Sequence, residues 1–223
     1  MDYTVIIPAY NAGQTIAQAI ESALRQEPAP AGIIVVDDGS TDETRKLAES
    51  FDACVRVLSQ PNCGPGAATS LGISHCITPI IAGLDADDLW LPGKMERQLG
   101  YLAANESCAG VFSRMQHFGE SIDGTVVQDG WGRTTMVLRR QLFDVVGTIV
   151  DPPGMRGEMV DWIARAREAG FELTLLPEVL ARRRVSDGSL SRQRDAAKDR
   201  GYAHVARAAL LRKRARLQGP PCQ

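Results

Sequence analysis

No apolar run in the 223 residues approaches the roughly 20 that a membrane-spanning helix needs, so no helical span is expected. Five cysteines, at 54, 63, 76, 108 and 222, make no CxxC pair and no Cys/His metal spacing. Neither a disulfide framework nor a zinc site is therefore signalled, and Cys54 and Cys76, in apolar surroundings, read as core packing. With three histidines and no GxSxG elbow, a Ser-His-Asp hydrolase has no obvious set to work with. No GxGxxG follows the first apolar run and no GxxxxGK[ST] occurs anywhere, which excludes the dinucleotide fingerprint and the P-loop. Any phosphate would then be met mainly through a metal ion. The N-terminus has no basic, apolar and small-residue leader pattern, so a soluble, cytoplasmic protein is expected.

A net charge of −2 hides a split. Residues 1–181 carry 13 Lys/Arg against 24 Asp/Glu, and residues 182–223 carry 12 against 3. The basic tail is expected to meet something anionic: a phosphate group, a membrane surface or the acidic body itself.

What is present alternates. Thr4–Pro8, Ile33–Val36, Val55–Leu58 and Pro79–Leu84 read as strands, and each is followed by a helical pattern. Ile16, Ile20, Ala23 and Leu24 recur at helical spacing, and Ser40 to Glu43 matches a capping box for a helix reaching about Ser50. A helix through Ala67, Leu71 and Ile73 follows the Gly/Pro loop at 62–66, and another starts at Pro92. Strands 1, 2 and 4 are apolar throughout, as strands covered on both faces are. The expected fold is α/β: a mostly parallel central sheet flanked by helices, with a small C-terminal helical extension. Beyond residue 105 the pattern loosens. Strands are expected at Ala109–Ser113, Met115–Phe118, Thr134–Leu138, Glu172–Leu176 and Val179–Val185. Gly119–Gly132 reads as a loop, and helices are expected at Arg139–Val146, Glu158–Ala169 and from about Ser191.

Two acidic clusters close strands. Asp85, Asp87 and Asp88 fall within four residues after Leu84, and three neighbouring carboxylates repel one another unless a cation intervenes. Mg²⁺ or Mn²⁺, held by one or two carboxylates and completed by phosphate oxygens, suits them. The bland alternative is an acidic loop at a helix N-terminus. Asp37 and Asp38 after the second strand have the same two readings, a ribose or base contact or helix-start charge. Two clusters at the carboxyl ends of neighbouring strands favour a shared nucleotide–metal mouth.

Val5-Ile6-Ile7-Pro8-Ala9-Tyr10-Asn11, Val35-Val36-Asp37-Asp38-Gly39-Ser40-Thr41-Asp42 and Leu84-Asp85-Ala86-Asp87-Asp88 resemble, in order and spacing, the signatures of family 2 glycosyltransferases with the GT-A fold. Glu168–Phe171, Leu176–Leu180 and Gly188–Ser191 resemble the family's C-terminal half, so the likeness covers roughly residues 3–192. It implies inverting transfer of a sugar from a nucleoside-diphosphate donor, normally a UDP-sugar. It places Pro8, Ala9, Tyr10, Asn11, Asp37, Asp38 and Gly66 around the nucleotide, with Asp85 nearby. Asp87 and Asp88 would bridge ribose, Mn²⁺ or Mg²⁺, and diphosphate. A base is needed to deprotonate the acceptor, and an electrophile to stabilise the leaving diphosphate.

Three departures from the pattern stand out. Glu158-Met159 replaces the family's usual Glu-Asp, leaving Glu158 and Asp161 as candidate bases on one helix face. Thr69-Ser70 replaces Arg-Asn. Arg182-Arg183-Arg184-Val185-Ser186 lacks the histidine that often follows the arginines, and one or more of those arginines is expected to supply its charge. Together they keep open a sugar-nucleotide-binding protein impaired in catalysis; a nucleotidyltransferase ranks last, because Pro8–Asn11 is not a Gly-rich basic loop. The expected division is a domain over 1–190, its nucleotide half at 1–105 and acceptor half at 106–190, with a basic helical extension at 191–223. The acceptor class is open among saccharide, lipid-linked and other small molecules, and no nucleic-acid partner is expected. The tail, alanine-rich on its apolar side around Ala206, Ala209 and Leu210, is expected to be docked or solvated, with a homodimer contact as one role, in preference to a membrane surface.

Overall fold

Consecutive apolar residues in the strands are divided between two cores. Val5, Ile7, Ile33 and Val35 join one buried cluster, while Ile6, Ile34 and Val36 join another. Successive side chains of a strand point to opposite faces, so a run without alternation is what a sheet covered on both sides requires. Each fully buried Ile or Val here contributes roughly 1.5–3 kcal/mol.

The computed structural model describes residues 1–51, 53–119, 124–185 and 196–218. Its elements are β1 (Tyr3–Ala9), α1 (Ile16–Leu24), β2 (Gly32–Asp37), α2 (Thr44–Glu49), β3 (Val55–Ser59), α3 (Pro65–Ser74), β4 (Ile80–Gly83), β5 (Leu89–Trp90), α4 (Lys94–Ala104), β6 (Cys108–Phe118), β7 (Val127–Asp129), a 3-10 turn (Arg133–Thr135), β8 (Val137–Arg139), α5 (Gln141–Val146), α6 (Glu158–Glu168), β9 (Glu172–Arg184) and α7 (Ala196–Gln218). The sheet runs β3-β2-β1-β4-β8-β6-β9-β5, with β7 on β6. The β3-β2-β1-β4 half is parallel. Beyond β4 the sheet is mixed: β8 pairs antiparallel with β4 and β6, β9 runs parallel to β6, and β5 is antiparallel to β9. Helix α3 lies so close to this sheet that a Cβ on Gly72 would come within 2.6 Å of Ile6.

Several elements differ from expectation. The capping box does not form: α2 begins at Thr44. Ser40 instead accepts the Asn11 amide at 3.0 Å, and Asp42 accepts the Gly13 amide at 2.9 Å, so the polar residues tie two loops together. The two pairs of short strands expected around Arg114 and Pro177 are single long strands, β6 and β9, which pair through register shifts between Cys108 and Gly110 and around Arg114. Bulges let a ladder continue past residues that break simple alternation. The first part of the strand expected at Thr134–Leu138 is the 3-10 turn. The tail helix is described from Ala196, and the expected domain boundary at 190/191 and the Gly188–Ser191 motif lie outside the described residues. Among the described residues no helix is long and apolar enough to cross a membrane.

Candidate active site

The carboxyl ends of β1, β2 and β4 lie side by side, because β1 pairs in parallel with both neighbours. All nucleotide-side candidates are delivered to this edge, where open α/β sheets bind ligands. Pro8 and Ala9 are buried at the end of β1, and Tyr10, the next residue, is 53% exposed. Asn11 takes a positive φ of 48°, and its side-chain carbonyl accepts the Thr41 amide at 2.9 Å. Tyr10 is thereby held as an open aromatic face at the sheet edge.

The two β2 carboxylates work inward. Asp37 accepts the Ser40 amide at 3.1 Å. Asp38, nearly fully buried, accepts hydrogen bonds from Gln60 Nε2 at 2.7 Å, the Cys63 amide at 2.9 Å and the Gly64 amide at 2.9 Å. It fixes the loop that leads into α3. Gly66 and Ala67 at the start of α3 donate their amides to the Asp151 carboxylate at 2.9 and 2.8 Å. Asp151 thus supplies the cap that α3 lacks locally, and sequence reasoning missed it because the two partners are 85 residues apart.

The acidic turn after β4 is built by a residue pair that the sequence did not mark. Gly83 makes room, since a Cβ there would lie 2.8 Å from Arg133 Cγ. The Arg133 side chain is 5% exposed and reaches Asp85 at 2.5 Å and Glu158 at 3.1 Å. Beside it, Thr134 Oγ1 lies 2.6 Å from Asp88 Oδ2 and 3.2 Å from Asp85 Oδ2. The second Asp88 oxygen accepts the Arg184 amide at 2.8 Å. Burial, followed by the charges of Asp87 and Asp85, raises the Asp88 carboxyl well above the ordinary range. Asp87 is the open member of the trio: its side chain keeps contact with solvent, yet crowding by surrounding protein and the Asp85 charge push it up to about 6. Arg184 donates Nε to the Asp87 carbonyl at 2.9 Å and Nη2 to Gln18 at 2.8 Å. Arg182 and Arg184 stack against Phe118 at 4.4 and 4.5 Å. Among the described residues Arg183 makes no hydrogen bond, and its charge acts on Asp87 and His117.

The two candidate bases separate. Glu158, at the first turn of α6, faces Arg133 and the acidic turn. Asp161 is turned to the other side, paired with Arg165 at 2.9 Å and with Arg212 of α7 at 2.9 Å. Met159 is buried in the core. Trp90 and Trp162 are core props: their indole N–H groups donate to the Thr134 and Gly147 carbonyls at 2.7 and 2.9 Å.

Among the described residues no three His, Cys, Asp or Glu side chains are arranged to enclose a metal by themselves. One open carboxylate, Asp87, with Asp85 adjacent, fits a hard divalent ion that takes the rest of its shell from phosphate and water. Arg133 cannot take that ion's place on Asp87, because it is committed to Asp85 and Glu158.

A half-parallel, half-mixed sheet carrying an acidic turn at the end of its fourth strand is the GT-A glycosyltransferase fold. The chain overlays on S. aureus TarS 1–349 in complex with UDP-GlcNAc with a TM-score of 0.76 at 17% identity, covering 95% of this chain and 66% of that one. It overlays on the mannosyltransferase PcManGT from Pyrobaculum calidifontis, in complex with GDP-Man and Mn²⁺, with a TM-score of 0.73 at 18% identity, covering 93% and 64%. Within that fold the chain belongs to glycosyl transferase family 2, whose profile matches residues 4–163. The succinoglycan biosynthesis protein ExoU of Rhizobium meliloti is 31% identical over 204 residues, 78% of this chain and 59% of ExoU. The chain thus spans less than two thirds of that relative's length.

Proposed function

We propose that this protein transfers a sugar, with inversion, from a nucleoside-diphosphate donor, a UDP-sugar by preference, to an acceptor bound on the β6–α6 side. The observation that carries the reading is the Arg133 bridge: one buried guanidinium joins Asp85 of the donor turn to Glu158 of the acceptor-side helix. A donor carboxylate and a candidate base therefore border one mouth. Tyr10 offers a face to the nucleobase, and the Asp38-anchored loop with Gly66 lines the same edge. Asp87, with Asp85, would hold Mn²⁺ or Mg²⁺. Asp88 has little access to an incoming ion and serves by fixing Thr134 and the end of β9. A bound metal would supply positive charge to the leaving diphosphate. Arg183, free of other partners among the described residues, would add a second positive group on the same side. Glu158 would take the acceptor proton. TarS is described with UDP-GlcNAc and PcManGT with GDP-Man and Mn²⁺, which supports a nucleotide-sugar donor and a divalent ion.

The test is calorimetric titration of UDP with and without Mn²⁺ on the native chain, Asp87→Asn and Asp88→Asn. Metal-dependent UDP binding that Asp87→Asn removes is the expected result, and no UDP binding under any metal condition sinks the uridine-donor reading. Met159, buried at the position where the family resemblance implies an acidic residue, favours one second reading: a donor-binding protein with impaired transfer. It predicts UDP-sugar binding with neither transfer nor hydrolysis.

A further inference from the structure

Helix α7 has two unlike faces, and the side expected to be apolar is only partly the one it buries: Ala209 is half-buried, whereas Ala206 and Leu210 are exposed. Gly201 and Val205 are buried, and Ala208 and Arg212 are half-buried, all on one stripe at helical spacing. That stripe lies on the loop leading into Glu158: a Cβ on Gly201 would meet the Arg156 carbonyl oxygen at 2.4 Å. Arg212 pairs with Asp161 and Glu168, and Arg216 pairs with Glu168, so ion pairs at one end and close backbone packing at the other hold the helix down.

The opposite stripe is open. At 100° per residue, Arg200, Ala203, Arg207, Leu210 and Arg214 fall within about 40° of one direction, itself about 150° around the helix from the Gly201–Arg212 stripe. Arg200, Arg207 and Arg214 are exposed and, among the described residues, have no ion pair or hydrogen bond. Leu210 and the neighbouring Leu211 are 59% and 54% exposed. The chain up to residue 181 is acidic in sequence, with 24 Asp/Glu against 13 Lys/Arg, yet among the described residues these arginines are unmatched.

We propose that the outward stripe of α7 docks the protein on an anionic lipid bilayer. Three arginines spaced along one line suit a plane of negative headgroups, and two leucines among them suit the acyl boundary just beneath it. A nucleic acid or an acidic protein would match the arginines but give the exposed leucines no apolar layer. The acidic body is repelled by such a surface, which leaves the tail stripe as the face that approaches it. Because the inner stripe packs on the loop before Glu158, docking would hold that loop close to the bilayer.

The test is flotation of the full chain with vesicles of phosphatidylcholine, and of phosphatidylcholine mixed with phosphatidylglycerol. Binding to the mixed vesicles and not to the neutral ones is expected at low salt, with release in 1 M salt, where the Debye length is about 3 Å. Arg207→Gln with Arg214→Gln should weaken binding about 30-fold, at about five-fold per basic residue. Leu210→Gln with Leu211→Gln should weaken it without changing the salt dependence. Circular dichroism and gel filtration confirm that each variant is folded. Equal binding to both vesicle types, no binding to the mixed ones, or binding unchanged in the arginine variant overturns the proposal. So does a dimer that sedimentation detects in the native chain and that the arginine variant loses while vesicles bind neither. The readout is independent of donor chemistry, so vesicle binding without UDP binding would fail the transferase reading alone.

Discussion

Arg133 and Glu158 face each other at 3.1 Å across the gap between the 3-10 turn and α6, and the same guanidinium holds Asp85 at 2.5 Å. Burial disfavours the charge, but the two carboxylates outweigh it and keep the arginine protonated. Removing one partner of a buried pair leaves the others uncompensated. Arg133→Met is therefore expected to cost about 3–5 kcal/mol of stability. Urea unfolding measures this; a loss under about 1 kcal/mol would mean that solvent already screens the pair.

Separation of the two candidate bases makes a sharp contrast. Glu158→Gln is expected to lower sugar transfer or donor hydrolysis by about 10²–10⁴-fold while UDP binding persists. Asp161→Asn should leave turnover within a few-fold and loosen α7 instead, read as faster tryptic cleavage of the arginine-rich tail. The reverse pattern would move the base to Asp161.

Asp87 gives a pH dependence. Its folded value, about 6, lies above the ordinary carboxylate range, so the folded chain holds the proton more tightly than the unfolded chain. The metal-free protein should accordingly gain thermal stability from this group as pH falls from 7 toward 4. Mn²⁺-dependent stabilisation should fade over the same fall, with a midpoint at or below 6 because the carboxylate still meets solvent. Thermal scans at several pH values, with and without Mn²⁺, would expose a flat response in Asp87→Asn.

Lys94 opens α4 fully buried and, among the described residues, without a carboxylate partner, its ammonium 4.1 Å from the Trp90 ring centroid. Burial depresses its proton affinity strongly. The unfolded chain then binds more protons than the folded one, so this group's contribution to stability should rise with pH up to the ordinary lysine value near 10.4. Lys94→Met keeps the stem and removes the charge. It should raise the melting temperature at pH 7 and flatten that slope between pH 7 and 10.

Asp38 anchors the loop before α3 through three accepted hydrogen bonds. Asp38→Ala strands the buried Gly64 amide, at about 1–3 kcal/mol, frees the part-buried Gln60 and Cys63 donors at lower cost, and should weaken UDP binding in step with stability. Unchanged UDP affinity in a destabilised variant would separate the loop from the donor site.

The sequence determined the parallel half of the sheet and the candidate donor edge, because both are local. An apolar run of strand length followed by Asp37-Asp38 or by Asp85 to Asp88 fixes, within a few residues, which end of which strand carries the acid. The pairing of β1 with β2 and β4 then brings Tyr10, Asp38 and Asp87 to one edge. What only the tertiary structure decided depends on contacts between distant segments. Arg133 lies 48 residues from Asp85 and 25 from Glu158, in a stretch whose Gly, Arg and Thr gave no periodic signal. Glu158 and Asp161 are near neighbours on one helix face by spacing alone. Arg133 and Arg212, each folded in from elsewhere, turn one toward the mouth and the other toward α7. The tail followed the same rule: its composition announced a basic helix, but which stripe lies inward was set by Gly201, small enough to lie against the Arg156 backbone, and by the charges of Asp161 and Glu168 waiting on α6.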